Sequence, residues 1–274
     1  MTTALRPLST GELLDRTFSL YRSHFGLFVG LFAIPQLLVL AFQLVQVAVV
    51  NPLTQLGNVF SPILWGLGSW FLMLTMASLS EAATAVAVSQ VHLGRPAGIA
   101  ESFSRVKGHF LGLIVITVIV WVGVVCGLVA IIVPGVLLAI IWSLSVPAKV
   151  LENKSIFAAM SRSVDLTKGD WGRIFVIGLL VFVLTYGVKW LLQWPILIAA
   201  AAGGKGGMQF VKGWQVASVV AAFVSESLVG AVGAIAFSLV YYDERVRKEA
   251  FDLQLMMTTL DASSASASPA QVGA

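Results

Sequence analysis

Charge is what this sequence has least of. Of 274 residues only 11% are Asp, Glu, Lys or Arg, against a hydrophobic share of 58% and a mean hydropathy of +0.93. A soluble globular domain carries about 25% charged residues, so this composition excludes a soluble enzyme and a disordered chain. Cysteine is nearly missing as well. Cys126 is the only one and lies inside an apolar run, which excludes a disulfide scaffold and a cysteine metal site. Histidine is scarce: His24, His92 and His109 fall at predicted helix ends, and no HxxxH or HxxE spacing joins them. They read as interfacial anchors, and no metal or other cofactor is expected. No basic run is interleaved with aromatics, so no nucleic-acid partner is expected despite a net charge of +4. Phosphate loops, dinucleotide fingerprints and serine elbows are also missing from any usable context.

What is present is apolar length. A membrane helix needs about 20 mostly apolar residues, and six segments qualify: 25–50, 62–91, 110–133, 135–150, 174–200 and 214–242. Pro134-Gly135 reads as a tight turn between the third and fourth. Glu12, Asp15, Arg16 and Arg22 precede the first apolar run, unlike a cleaved secretory signal, so the first span reads as permanent. Residues 1–260 form a single membrane domain. The Ala/Ser/Pro-rich stretch 261–274 reads as a disordered tail.

Placement of the basic residues sets the topology. Fourteen of the seventeen lie at the N-terminus, in the second and fourth connections, or after the last span. The other connections hold only Lys205 and Lys212; the stretch Asn51 to Ser61 is uncharged and Gly203 to Gly207 is a flexible turn. By the positive-inside rule both termini face the cytoplasm, and the expected location is the cell membrane, with its lipids as partners.

Three segments on that side resemble one another. Ser9 to Gly26 ends Arg22-Ser23-His24-Phe25-Gly26, Pro96 to Leu111 contains Lys107-Gly108-His109-Phe110, and Ser155 to Gly172 ends Lys168-Gly169-Asp170-Trp171-Gly172. The first and third align without gaps, Ser9 on Ser155, Arg16 on Arg162, Arg22 on Lys168 and Phe25 on Trp171. Leu13, Leu14, Phe18 and Tyr21 recur at helical spacing, as do Phe157, Met160 and Val164. The expectation is a pseudo-threefold, all-α protein: three times an amphipathic helix in the headgroup plane, apolar face down, followed by a transmembrane hairpin. Arg16, Arg22, Lys107, Arg162, Lys168, Arg245 and Arg247 are the candidate headgroup contacts. The last two belong to a basic stretch after Tyr241-Tyr242, in which Glu244 with Lys248 and Arg245 with Glu249 are spaced as helical pairs.

Pro7 to Arg16 with Tyr21-Arg22, Val146-Pro147 through Glu152, Ala158 to Ser163, and above all Tyr241 to Asp252 carry a family likeness. With them the chain resembles the bacterial proteins named for the glycerophosphoryl diester phosphodiesterase membrane domain, over nearly its whole length before the tail. The resemblance implies a six-span protein of the cytoplasmic membrane. It does not transfer catalysis, because the separate hydrolase barrel of some relatives needs about 250 residues and only a short tail follows the last span.

Three charged residues remain within the spans: Glu81, Lys189 and Glu226. Such residues face a bundle interior or water. Ala222, Glu226, Gly230, Ala234 and Ser238 form a small-residue stripe of the kind by which membrane helices touch. The expected arrangement is a Lys189–Glu226 pair between the last two spans, Gln43 near the level of Lys189, and Glu81 with Gln36 in a lower polar contact. Ser143 and Ser145, just before Pro147, read as local satisfaction of backbone groups. The function these features predict is a non-catalytic membrane module that organises lipid or a partner protein at the cytoplasmic face. The alternative is a small transporter or channel built on the intramembrane charges.

Overall fold

The computed structural model describes residues 8–49, 60–202, 208–249 and 257. Residues 51–59 of the uncharged connection, Lys205 with its glycines, Arg6 and the 261–274 tail lie outside the described residues. Among the described residues ten helices follow one another: α1 (Thr10–Ser23), α2 (Phe25–Val49), α3 (Phe60–His92), α4 (Ile99–Val106), α5 (Phe110–Ala130), α6 (Ile132–Ile141), α7 (Ser145–Leu151), α8 (Ile156–Thr167), α9 (Trp171–Ala202) and α10 (Met208–Glu249). A single 3₁₀ turn, Lys107–His109, joins α4 to α5, and no strand occurs among the described residues. Among the described residues six helical stretches are long and apolar enough to cross a membrane, with α4–α5 and α6–α7 each counting as one. They leave Leu38, Leu64, Val129, Ile132 and Leu191 exposed, the surface that hydrocarbon covers in a spanning bundle.

The centre is built on α3 and α10. Ala82, Ala83, Ala85 and Ala87 of α3 are fully buried; side chains this small let α2, α4, α5, α7 and α10 close around one helix. On α10 the small-residue stripe is buried at Ala234 and Ser238 and half-buried at Ala222, Glu226 and Gly230. A Cβ on Gly230 would sit 2.6 Å from the ring of Phe32, so Gly230 is the notch that lets α2 seat on α10. Of the consecutive long helices, α2 packs on α3, α5 on α6 and α9 on α10.

The amphipathic segments α1 and α8 each bury one face against the rest of the bundle. Ser9 starts α1 with a capping box, accepting from the Glu12 N–H while the Glu12 carboxylate accepts from Ser9 N–H. Leu8, just before the helix, donates to Asp243, and Tyr21 near its end donates to the Leu228 carbonyl. The helix therefore runs along α10 and buries Leu13 and Thr17 in protein. In α8 the buried face is Ala159, Met160, Ser163, Leu166 and Thr167, rotated from the expected Phe157, Met160 and Val164 stripe; Phe157 is 75% exposed. Small Ala159 and Ser163 permit a closer approach to the bundle than Phe157 would.

Pro134, just before the fourth expected span, and Pro147 within it work differently from the expected turn and single helix. The break between α5 and α6 falls at Ile131, whose backbone is extended (φ −158°, ψ 139°). Pro134 sits in the first turn of α6, where an N–H has no helical acceptor to lose. The hairpin is close because its backbones touch: a Cβ on Gly135 would lie 2.5 Å from the Leu128 nitrogen, and one on Gly127 would lie 2.8 Å from the Gly135 Cα. Pro147 then divides the remaining stretch into α6 and α7, since its ring and missing N–H exclude a helical bond to Ser143. Ser163 of α8 repairs this second break. Its hydroxyl donates to the Ile141 carbonyl at 2.6 Å and accepts from the Leu144 N–H at 3.1 Å.

Ser163 and Leu144 are fully buried. Replacing Ser163 by Ala leaves a backbone donor and acceptor with no water to turn to, a loss of about 1–3 kcal/mol. A thermal melt of the Ser163→Ala variant in detergent should show it; an unchanged melting temperature would mean that the hydroxyl is not what closes the break.

Candidate functional site

Two polar regions stand out, one around the last turns of α10 and one between the long helices. In the first, Glu152 follows α7 and accepts from Arg162 Nε at 2.9 and 3.1 Å, from Lys154 Nζ at 3.0 Å and from the Tyr241 hydroxyl at 2.6 Å. Arg162 also pairs with Glu249, which Arg245 meets at 3.1 Å. Burial alone would raise the Glu152 carboxyl, but the hydrogen bonds from Tyr241, Arg162 and Lys154 outweigh it and hold the group below the ordinary carboxylate range.

Beside it, Arg173 of α9 meets Asp243 at 2.6 Å and Glu244 at 2.9 Å. Arg247 meets Asp243 at 2.8 Å. Both guanidinium groups donate to the Leu8 carbonyl, at 2.9 and 2.6 Å. Lys248 closes the end of α8, donating to the carbonyls of Leu166 and Lys168 at 2.6 Å and of Asp165 at 3.2 Å, where a cation also meets the negative end of the helix dipole.

The candidate headgroup residues thus divide. Arg162, Arg245 and Arg247 spend their charge on carboxylates inside the protein. Arg16 lies 3.4 Å from His92 Nδ1, and that ring stacks on Tyr242 at 5.4 Å. Arg22, Lys107 and Lys168 are exposed and form no ion pair with a described residue. Each sits three residues before the first residue of a long helix, and that first residue is an aromatic in all three: Phe25 (47% exposed), Phe110 (40%) and Trp171 (42%). Ser9 and Ser155 are the N-caps of α1 and α8, with nearly the same backbone angles. Gly169, at φ +98°, turns the chain between α8 and α9 in a conformation that other residues resist.

Between the long helices, Ile174, Ile177, Val181 and Thr185 are the buried stripe of α9. Lys189 continues that stripe by one turn and forms an ion pair with Glu226 of α10. The two side chains are 23% and 28% exposed, and the Lys189 ammonium also stands 5.1 Å from the centre of the Tyr186 ring. The pair borders a cavity of about 550 Å³ between the α5–α6 hairpin and the α9–α10 pair.

The lower contact does not form. Gln36 Nε2 is buried with no hydrogen-bond partner, and no described residue makes a hydrogen bond or ion pair with Glu81. Gln36 follows Pro35 on the face of α2 turned to α10, and Phe32, four residues before it, fills the approach at Gly230. Gln43 lines a second cavity, of about 430 Å³, with Gln46, Ser69, Trp214, Gln215 and Ser218. Among the described residues no three His, Cys, Asp or Glu side chains converge as metal ligands.

No family model, curated protein or solved structure matches this chain. Sequence reasoning missed Ser163, the Glu152–Arg162–Tyr241 contact and the polar lining around Gln46 and Ser69. Glu152, Arg162, Ser163 and Tyr241 had a signal, since all four fall in the segments that carry the family likeness; Gln46 and Ser69 had none.

Two measurements test these sites. The folded-state pKa of Glu152 is lowered from an unfolded value of about 4.3. Its contribution is therefore complete at neutral pH and is lost as pH falls through the folded value. Stability of the wild-type protein should drop more steeply below about pH 4 than that of Glu152→Gln; parallel curves would sink the assignment. For the intramembrane pair, Lys189→Met and Glu226→Gln should each destabilise more than the double variant, because each alone leaves an unpaired charge among apolar groups. A coupling of about 1–3 kcal/mol is expected in the double-mutant cycle, and additive losses would remove the pair.

Proposed function

We propose that this protein is a non-catalytic integral membrane module that gathers anionic lipid at the cytoplasmic face of the cell membrane. The observation that carries the reading is the set of three matching corners. Arg22, Lys107 and Lys168 are exposed cations, each followed at the same spacing by an exposed aromatic that opens a long helix. An aromatic ring anchors at the headgroup level, and a free cation beside it attracts an anionic headgroup with about 1 kcal/mol.

On this reading the chain is three units, each an amphipathic helix followed by a hairpin: α1 with α2–α3, α4 with α5–α6, and α8 with α9–α10. Both termini face the cytoplasm. The likeness to the membrane domain of the glycerophosphoryl diester phosphodiesterases agrees with this layout and adds no chemistry. The amphipathic helices hold the three corners in place by packing on the bundle, with lipid contact confined to the corners themselves. A second reading, a small transporter, draws on one observation: the larger cavity reaches the Lys189–Glu226 pair.

Purification in mild detergent from a membrane of mixed lipids, with the bound lipids identified, separates the two. The module should carry phosphatidylglycerol in excess over phosphatidylethanolamine. Arg22→Gln, Lys107→Gln and Lys168→Gln together should lower that excess about tenfold or more, and added salt should lower it in the wild type. An excess that survives the triple replacement rejects the corners as the site.

A further inference from the structure

The cavity between the α5–α6 hairpin and the α9–α10 pair has no part in the lipid-gathering corners. It borders α9 from Ile174 to Lys189, a length of about 22 Å at the helical rise. Ala139 on α6, Gly178 on α9 and Gly233 on α10 line it with little side-chain bulk. Leu179 and Phe182 at its margin are about half exposed, so the cavity opens sideways toward lipid. Its wall is overwhelmingly apolar, and at about 550 Å³ it has room for one long hydrocarbon chain but not two. The Ser143 and Thr185 hydroxyls on its wall are committed to the Ile140 and Val181 carbonyls.

One end differs. Lys189 and Glu226 are the charged residues of the lining, and both side chains stay about a quarter exposed beside it. An ammonium offers three donors and a carboxylate about four acceptor sites, so the pair keeps hydrogen-bonding capacity to spare after meeting itself. Its charges cancel. An anionic head would bring uncompensated charge into apolar surroundings, which costs far more than a neutral polar group that finds partners. A hydroxyl fits both halves, donating to Glu226 and accepting from Lys189.

We propose that this cavity binds a single-chain lipid whose head is uncharged and bears a hydroxyl group. The chain lies along α9 past Gly178, and the hydroxyl bridges Lys189 and Glu226. This assignment stands apart from the corner sites, which take charged headgroups at the membrane surface.

The test is saturation binding of radiolabelled monoolein to the full-length protein in detergent, with oleate and methyl oleate as competitors. Binding should saturate at one per chain, and monoolein should be preferred about tenfold over either competitor, the effect of one hydrogen bond to a charged group. Gly178→Leu fills the cavity without touching backbone, since a Cβ there meets only Phe237 at 3.6 Å. It should weaken binding at least tenfold. Gly187→Leu on the same helix, where a Cβ meets nothing within 4 Å, should leave binding unchanged. Replacing Lys189 and Glu226 together by Met and Gln should preserve chain binding and abolish the preference for monoolein. Oleate binding as tightly as monoolein would overturn the head assignment, and so would a preference that survives the double replacement. Equal binding by the Gly178→Leu and wild-type proteins would overturn the site.

Discussion

Everything at one end of this bundle depends on how α10 finishes. Asp243 and Glu244 are buried on a helix that has just left the apolar interior, and a buried carboxylate is tolerable only when paired. Arg173 comes from α9, Arg247 from the next turn, and both guanidinium groups also hold the Leu8 carbonyl. The start of α1, the start of α9 and the end of α10 are thereby tied at one point. One turn further, Lys248 holds the end of α8, and Arg245 with Glu249 extends the network to Arg162 and Glu152. Segments far apart in the chain meet there because each supplies what another lacks in charge or in backbone bonding.

A second kind of polar placement sits between the long helices. Lys189 and Glu226 are alone together on the wall of an apolar cavity, with one charge from each helix. The network at the end of α10 ties four helices together around buried carboxylates, with only Glu244 Oε2 left without a hydrogen bond, whereas the Lys189–Glu226 pair faces a cavity. That difference separates residues that hold the fold from residues left able to meet something else. Likewise, Arg22, Lys107 and Lys168 differ from Arg162, Arg245 and Arg247 by where the nearest carboxylates fall, which side-chain type alone does not reveal.

Much of the fold was readable from composition and spacing. Apolar runs of spanning length marked the six long stretches, and the stripe through Glu226 and Gly230 indicated the inward face of α10. The pairing of Lys189 with Glu226 followed from two opposite charges at matching depths on adjoining spans. What escaped was decided by tertiary contact. Pro134 has the same local signature whether it makes a turn or sits in the first turn of a helix; the touching backbones at Gly127 and Gly135 favour the second. The face of α8 rotated because Ala159 and Ser163 admit a closer neighbour than Phe157, and hydrophobic spacing cannot weigh closeness. The expected contact between Glu81 and Gln36 rested on equal depth, and equal depth does not give facing: Gln36 Nε2 is buried without a hydrogen-bond partner.

The hydroxyl of Ser163 has a mechanical meaning beyond stability. It is one oxygen with one proton, and it links the end of α6 to the start of α7 only while α8 stays seated. Helix α8 is in turn latched at its far end by Lys248, and α6 forms one wall of the larger cavity. Displacing α8 from its latch at the end of α10 would therefore open the backbone break that lies beside that wall.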